Sequence, residues 1–347
     1  MDTTNVPDFD NLPEVKGMPQ GCAWGLFDKD DKKDLLGTLN LLTPDVVKAA
    51  CAEARDGVSV SLNWPLNAMS FPVPGRIQPT HKQMTLQEAG LSKSAGWDDE
   101  IHFNTQLSSQ WDSLVHWHHQ PSGLAYNGIK VTKEVLAATT TASNPAPTLD
   151  HWHAAGGLVA RGVLIDFKAW VEKKAQAEGK TGDDAIVHPF DGHRITVAEI
   201  ETIAKDQGVE FRPGDVLIVR TGMTECLQAP TPEDFAKLQN QKISGVHGTK
   251  ETVKWLWNKH FSAVAGDAWA FEALPPVKED GSLASVEELV LHPWLLAMFG
   301  TPIGELWDLR ALSAHCKACG RYSFMLTSAP LNLPGLIGSP PNALAIF

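Results

Sequence analysis

Apolar residues along this chain change period several times, and each change marks an element. Thr43-Pro44-Asp45 has the form of a helix start, with Thr43 as N-cap and Pro44 at the first helical position, and Gly57 closes the segment. Val58, Val60 and Leu62 then alternate, as a half-buried strand does. Residues 63–100 hold Pro65, Pro72, Pro74, Gly75 and Pro79 and predict a long loop, either a lid or oligomer contact or coil laid over the core. Further on, strands are expected over 162–167, 215–220 and 262–267, with helices over 168–178 and 249–260. Val253, Leu256, Trp257 and His260 keep helical spacing, and Thr196-Val197-Ala198-Glu199 is a capping box whose helix ends before Gly208. This β–α alternation predicts an α/β or α+β layered body. The Pro- and Asp-rich residues 1–20 read as an arm, and residues 21–347, which contain no repeat or low-complexity tract, as one domain.

One segment breaks the hydrophobic pattern. Gln106, Ser108, Gln110, Asp112, Leu114 and His116 are spaced by two, so an extended strand would aim them at one face. Inward-facing Gln, Asp and His are costly unless water, a metal or a substrate satisfies them, which makes the row a site candidate. Composition narrows the partners. At 43% hydrophobic over 347 residues a sizeable core is available, and a net charge of −12 argues against nucleic acid and anionic membranes. The acidic first twenty residues fit no signal peptide, no apolar run is long enough to span a bilayer, and the five cysteines are an odd number. These features point to a cytoplasmic protein with free thiols. Cys316 and Cys319 form a lone Cys-x-x-Cys, expected to be two incidental thiols at a helix end.

The row is similar to the His-x-Gly-Thr-His-x-Asp-x-Pro-x-His signature of the cyclase family, which includes kynurenine formamidases and isatin hydrolases. Asp112 and His116 match their counterparts, while Gln106 and Gln110 stand where the signature has its two metal-binding His. Ser108-Ser109 and Leu114 replace Gly-Thr and Pro. Tyr126-Asn127-Gly128, the Arg161–Asp166 and Gly214–Gly222 segments, His292-Pro293-Trp294 and Pro302-Ile303-Gly304-Glu305 also resemble family segments, in order, and the C-terminal Ser339–Ile346 resembles the fungal branch. The resemblance implies the family's swivelling β/β/α fold, a central barrel-like sheet flanked by helices. It further implies a homo-oligomer (dimer or tetramer) and a late His and Glu, here His292 and Glu305, that add metal ligands.

The chemistry then has three readings. With a metal, Asp112, His292 and Glu305 hold one divalent ion (Mn, Mg or Zn), and Gln106 and Gln110 add oxygen ligands or bind its water. Without one, the carboxamides donate to a substrate carbonyl or oxyanion, and His116, oriented by Asp112 or Glu305, moves the proton. In the third, the row is a structural relic in a protein that binds without turnover. His116, Asp112 and Gln110 are the catalytic candidates, and Gln106, Trp111 and Tyr126 the substrate-binding ones. The expected reaction is hydrolysis at an activated carbonyl of a small aryl formamide, cyclic amide or lactone; the alternative is a metal-free isomerase, lyase or cyclase of secondary metabolism. Twelve tryptophans would suit flat substrates if one or two line the pocket, although most should be core. Of His118, His119, His151 and His153, none is expected to face the pocket, and Asp267 is expected to serve a turn. No nucleotide loop, nucleophile elbow or organic-cofactor motif occurs.

Overall fold

The computed structural model describes residues 6–181, 186–278 and 280–347. Its strands, in chain order, are β1 (Ser59–Ser61), β2 (Thr80–Thr85), β3 (Trp97–His102), β4 (Gln110–Asp112), β5 (Leu158–Asp166), β6 (Arg194–Ile195), β7 (Val216–Arg220), β8 (Gly245–Val246), β9 (Ala263–Gly266), β10 (Ile303–Glu305), β11 (Ser323–Ser328), β12 (Gly338–Ser339) and β13 (Ala343–Ile346). Nine of them make one curled sheet in the order β1-β13-β11-β5-β7-β9-β10-β4-β12. The middle strands β5, β7, β9 and β10 are parallel, and antiparallel strands extend the sheet on both sides. This is the mixed α/β, barrel-like sheet flanked by helices that the resemblance implied.

The parallel strands are buried on both faces and read as continuous apolar runs, as they must when helices cover a sheet. Val163, Ile165, Leu217, Val219, Val264 and Ile303 face one core, shared with the stripes of helices Val197–Gln207 and Lys250–Asn258. Leu164, Val216, Ile218, Ala263 and Ala265 face the other, shared with Trp111, Trp152 and Trp307. Local signals hold the helices in register. Thr43 caps helix Pro44–Cys51 by accepting from the Val46 N–H, and the Thr196–Glu199 capping box is complete, with left-handed Gly208 (φ 67°) ending that helix.

Several boundaries differ from expectation. The first helix ends at Cys51 and not at Gly57, and β5 begins at Leu158. The long loop holds a hairpin, β2 paired with β3 from Thr80↔His102 to Thr85↔Trp97, and only Met84 and Thr85 in it are even half-buried. Its apolar residues, Met84, Trp97 and Ile101, are too few to make an alternation. At the N-terminus Val6, Phe9 and Leu12 are buried, and Phe9 packs on Trp294 and Phe299. No helix among the described residues is long and apolar enough to cross a membrane.

Candidate active site

Strand register assembles the first half of the site. β4 and β10 run antiparallel with Gln110 opposite Glu305 and Asp112 opposite Ile303, so a period of two aims Gln110, Asp112 and Glu305 at one face. Glu305 also ends β10, at the carboxyl edge of the parallel strands where α/β sheets carry their ligands. The second half comes from His292, which precedes the π-helix Pro293–Phe299. The N-terminal segment braces that helix, since Trp24 Nε1 donates to the Ala297 carbonyl and the Ala23 N–H to that of Met298.

The two glutamines form a bridge between the acids. Gln106 Nε2 donates to Asp112 Oδ1 at 2.6 Å, and Gln110 Nε2 donates to Gln106 Oε1 at 2.9 Å and to Glu305 Oε2 at 2.8 Å. His292 stands between two carboxylates, with Nδ1 2.8 Å from Glu272 Oε1 and Nε2 3.3 Å from Glu305 Oε1. Glu272 also accepts the backbone N–H groups of Val290, Leu291 and His292, so the ring and its backbone are fixed together. The Trp117 ring meets that of His292 edge-on at 5.6 Å. His116 is the outer member: its Nε2 lies 4.0 Å from Asp112 Oδ1, and its side chain is 23% exposed while that of Asp112 is 0%.

Burial and neighbouring charge set the protonation states. Burial pushes His292 down, but hydrogen bonds and charge from Glu272 and Glu305 prevail and raise its pKa to about 10. Glu305 is pushed up to about 7, first by burial and then by the Asp112 charge, against the pull of His292. His116 is lowered, mainly by burial, and Asp112 only partly opposes this.

One ligand atom each from Asp112, His292 and Glu305 lie within 4.8 Å of one another, and all three residues are buried. Two nearby acceptors, Asp112 Oδ2 and Gln110 Oε1, are buried without a hydrogen-bond partner. A carboxylate-rich cluster with orphaned acceptors fits a divalent cation, and the Glu272 bond leaves His292 Nε2 as the nitrogen to ligate it. A second group, His188, Cys226 and Asp234, fits less well. There Nδ1 accepts the Phe190 N–H, so Nε2 keeps its proton for Asp234 at 2.7 Å.

Gln106, Gln110, Asp112, His116, His292 and Glu305 are thus brought together, whereas Trp111 and Tyr126 are not. Trp111 points to the opposite face of β4, packed on Trp307 and Trp152 at 5.0 and 5.4 Å, because a strand cannot aim consecutive residues one way. Tyr126 is fully buried and donates its hydroxyl to Asp34 at 3.0 Å. Nor is the row one strand. Only Gln110–Asp112 are extended; Ser108 Oγ turns to the Trp64 and Pro65 carbonyls, Leu114 enters the core, and turns return Gln106 and His116 to the cluster. Both N–H bonds of the Gln110 carboxamide go to protein acceptors, which leaves it no N–H for an oxyanion. His151 and His153 bond backbone carbonyls, and His119 bonds Ser122. Asp267 accepts from Thr221 and Gly222 at a turn. Cys316 is buried, Cys319 exposed, and both are free thiols at the end of helix Arg310–Cys319. Glu272 and Arg76, whose Nη1 donates to the Gln106 carbonyl, went unread. A lone carboxylate inside Ala270-Phe271-Glu272-Ala273-Leu274 was the one local signal for Glu272.

Fold and cluster together define a layered α/β protein with a buried carboxylate–imidazole centre at the edge of its parallel strands. Residues 38–273 match the sequence family described as "Putative cyclase", and the chain belongs to that cyclase family. The crystal structure of a novel cyclase is similar at 28% identity and a TM-score of 0.73, covering 94% of this chain and 99% of that one. Isatin hydrolase A from Labrenzia aggregata, bound to benzyl benzoate, shares the fold at 15% identity and a TM-score of 0.52, over 87% of this chain and 97% of that one. An isatin hydrolase bound to the product analogue thioisatinate does so at 15% identity and a TM-score of 0.54, over 86% and 95%. No curated protein matches the sequence.

Proposed function

We propose that this protein is a hydrolase that opens a C–N or C–O bond at an activated carbonyl of a small cyclic or aromatic metabolite, such as an aryl formamide, cyclic amide or lactone. The observation that carries the reading is the convergence of buried Asp112, His292 and Glu305 beside a partly exposed His116. Asp112, His292 and Glu305 would hold one divalent ion, and their two oxygens and one nitrogen favour Mn²⁺ or Mg²⁺ over Zn²⁺. When bound, such an ion supplies Lewis-acid polarisation and an acidified water.

The chain's own residues do the rest. His116, kept neutral at neutral pH by its lowered pKa, takes a proton from the attacking water. The water oxygen bonds to the carbonyl carbon, the C–N or C–O bond breaks, and His116 returns the proton to the departing nitrogen or oxygen. A carboxylic acid, which loses its proton to solvent to become the carboxylate, and an amine or alcohol are left. Asp112 orients His116, and the Gln106–Gln110 bridge keeps Asp112 and Glu305 from rotating. The assembly is a homodimer or homotetramer on this reading, which light scattering tests. The activity is tested by assaying formanilide, isatin and an aryl lactone with added Mn²⁺, Mg²⁺ or Zn²⁺. Metal-dependent release of a carboxylate from at least one supports the reading; no turnover of any under all three ions counts against it.

A further inference from the structure

Arginines in this protein are almost all paired. Arg55, Arg161, Arg212, Arg220, Arg310 and Arg321 each have a carboxylate oxygen within 4.0 Å. Arg194 instead donates to the carbonyls of Gly192 and Pro275. Arg76 stands apart: its one hydrogen bond through the side chain goes to the Gln106 carbonyl, and no carboxylate among the described residues pairs with it. It is not loosely placed. The preceding Pro74-Gly75 forms a turn closed by the Arg76 N–H on the Val73 carbonyl at 3.1 Å, with Gly75 at φ 76°. The guanidinium is half-buried, tied to the residue that touches Asp112, and its charge is felt at both His116 and Glu305.

The cluster it borders is acidic, with Asp112, Glu305 and Glu272 around one imidazole. A small anion beside these carboxylates is held better where a further cation faces it, and a planar guanidinium binds carboxylates through two parallel bonds. We infer that Arg76 is an anion subsite beside the candidate site, taking a small carboxylate through its unused N–H groups. The carboxylate is either carried by the substrate or formed by hydrolysis; the second origin rests on the function proposed above, the subsite does not.

Benzoate and benzamide, alike in shape and different in charge, serve as probes for calorimetric titration of the full chain. The wild type should bind benzoate at least about tenfold more tightly than benzamide, with the preference shrinking as salt rises. Arg76→Gln, which keeps a donor for the Gln106 carbonyl, should abolish the preference, and Arg76→Lys should retain part of it. Equal binding of the two probes by the wild type, or a preference that survives Arg76→Gln, would overturn the inference. Kinetics separate the origins of the carboxylate. If the substrate carries it, Arg76→Gln raises KM for 2-formamidobenzoate at least about tenfold more than for formanilide. If hydrolysis forms it, the two substrates respond alike and the inhibition constant of the carboxylate product rises instead. Arg76-dependent benzoate binding without turnover of any panel compound would remove the hydrolase and leave the subsite; turnover with no Arg76 dependence of any kind would do the reverse.

Discussion

His292 and His116 flank the same pair of carboxylates and are built in opposite ways. His292 is buried with both ring nitrogens engaged, its backbone N–H held by the same Glu272, and its pKa raised to about 10. The His116 ring has no hydrogen bond among the described residues; it stands 4.0 Å from Asp112, partly open to solvent, with a lowered pKa. One ring is fixed and charged unless a cation displaces its proton; the other has a single carboxylate nearby and is neutral. On the function proposed above, identical side chains divide into a holding role inside and a proton-carrying role outside, and the number of carboxylates around each ring makes the division.

Removing the outer ring breaks the comparison most severely. His116→Ala should lower kcat by about 10²–10⁴ while divalent-ion content stays at the wild-type level. A loss below tenfold would remove the proton-carrying role from His116, and a loss of ion together with activity would place it in the holding set. On the inner side, Glu272→Gln puts an amide N–H against the donors of Val290, Leu291 and His292. It should weaken ion affinity by about 10–100-fold and cost about 1–3 kcal/mol in denaturant unfolding. Unchanged ion affinity would show that His292 does not need Glu272 to face inward.

Acidity sharpens the contrast. An ion at His292 must displace the proton that leaves near pH 10, so affinity should rise about tenfold per pH unit between about 7 and 10. Below about 7 the slope should steepen, because Glu305 is then protonated as well. The outer ring gives the opposite signature: the acid limb of kcat/KM, where His116 gains a proton and stops acting as base, should lie below the ordinary 6.5. A smaller effect is expected at Gly338, opposite Asp112 on β12, where an added Cβ would sit 2.4 Å from Gln106 Nε2. Gly338→Ala should cost about 1–3 kcal/mol and loosen the carboxamide bridge; wild-type stability and turnover would mean that Gln106 has room to move.

Sequence and structure agree where information is local. Thr43-Pro44, the Thr196–Glu199 box and the apolar run of β7 each carry their own signal within a few residues, and the elements formed there. Asp112 and His116 were legible because their spacing resembles a family signature, and His292 and Glu305 because their segments resemble later family segments, not because anything local joins residue 112 to residue 305. Even spacing in sequence does not require one continuous strand: only Gln110 and Asp112 obey it, and the same period sends Trp111 to the far face. Glu272 and Arg76 act through contacts across 20 and 30 residues, which periodicity cannot register. The β2–β3 hairpin, almost wholly exposed, offers no burial pattern to detect.

The account turns on a single cation held by Asp112, His292 and Glu305 but not by His116. Elemental analysis of protein equilibrated with Mn²⁺ and desalted, run beside Asp112→Ala, His292→Ala and His116→Ala, tests it most directly. One equivalent is expected in the wild type and in His116→Ala, with little or none in the other two variants. Metal-free wild-type protein that still turns over substrate, or equal metal in all four samples, would contradict it.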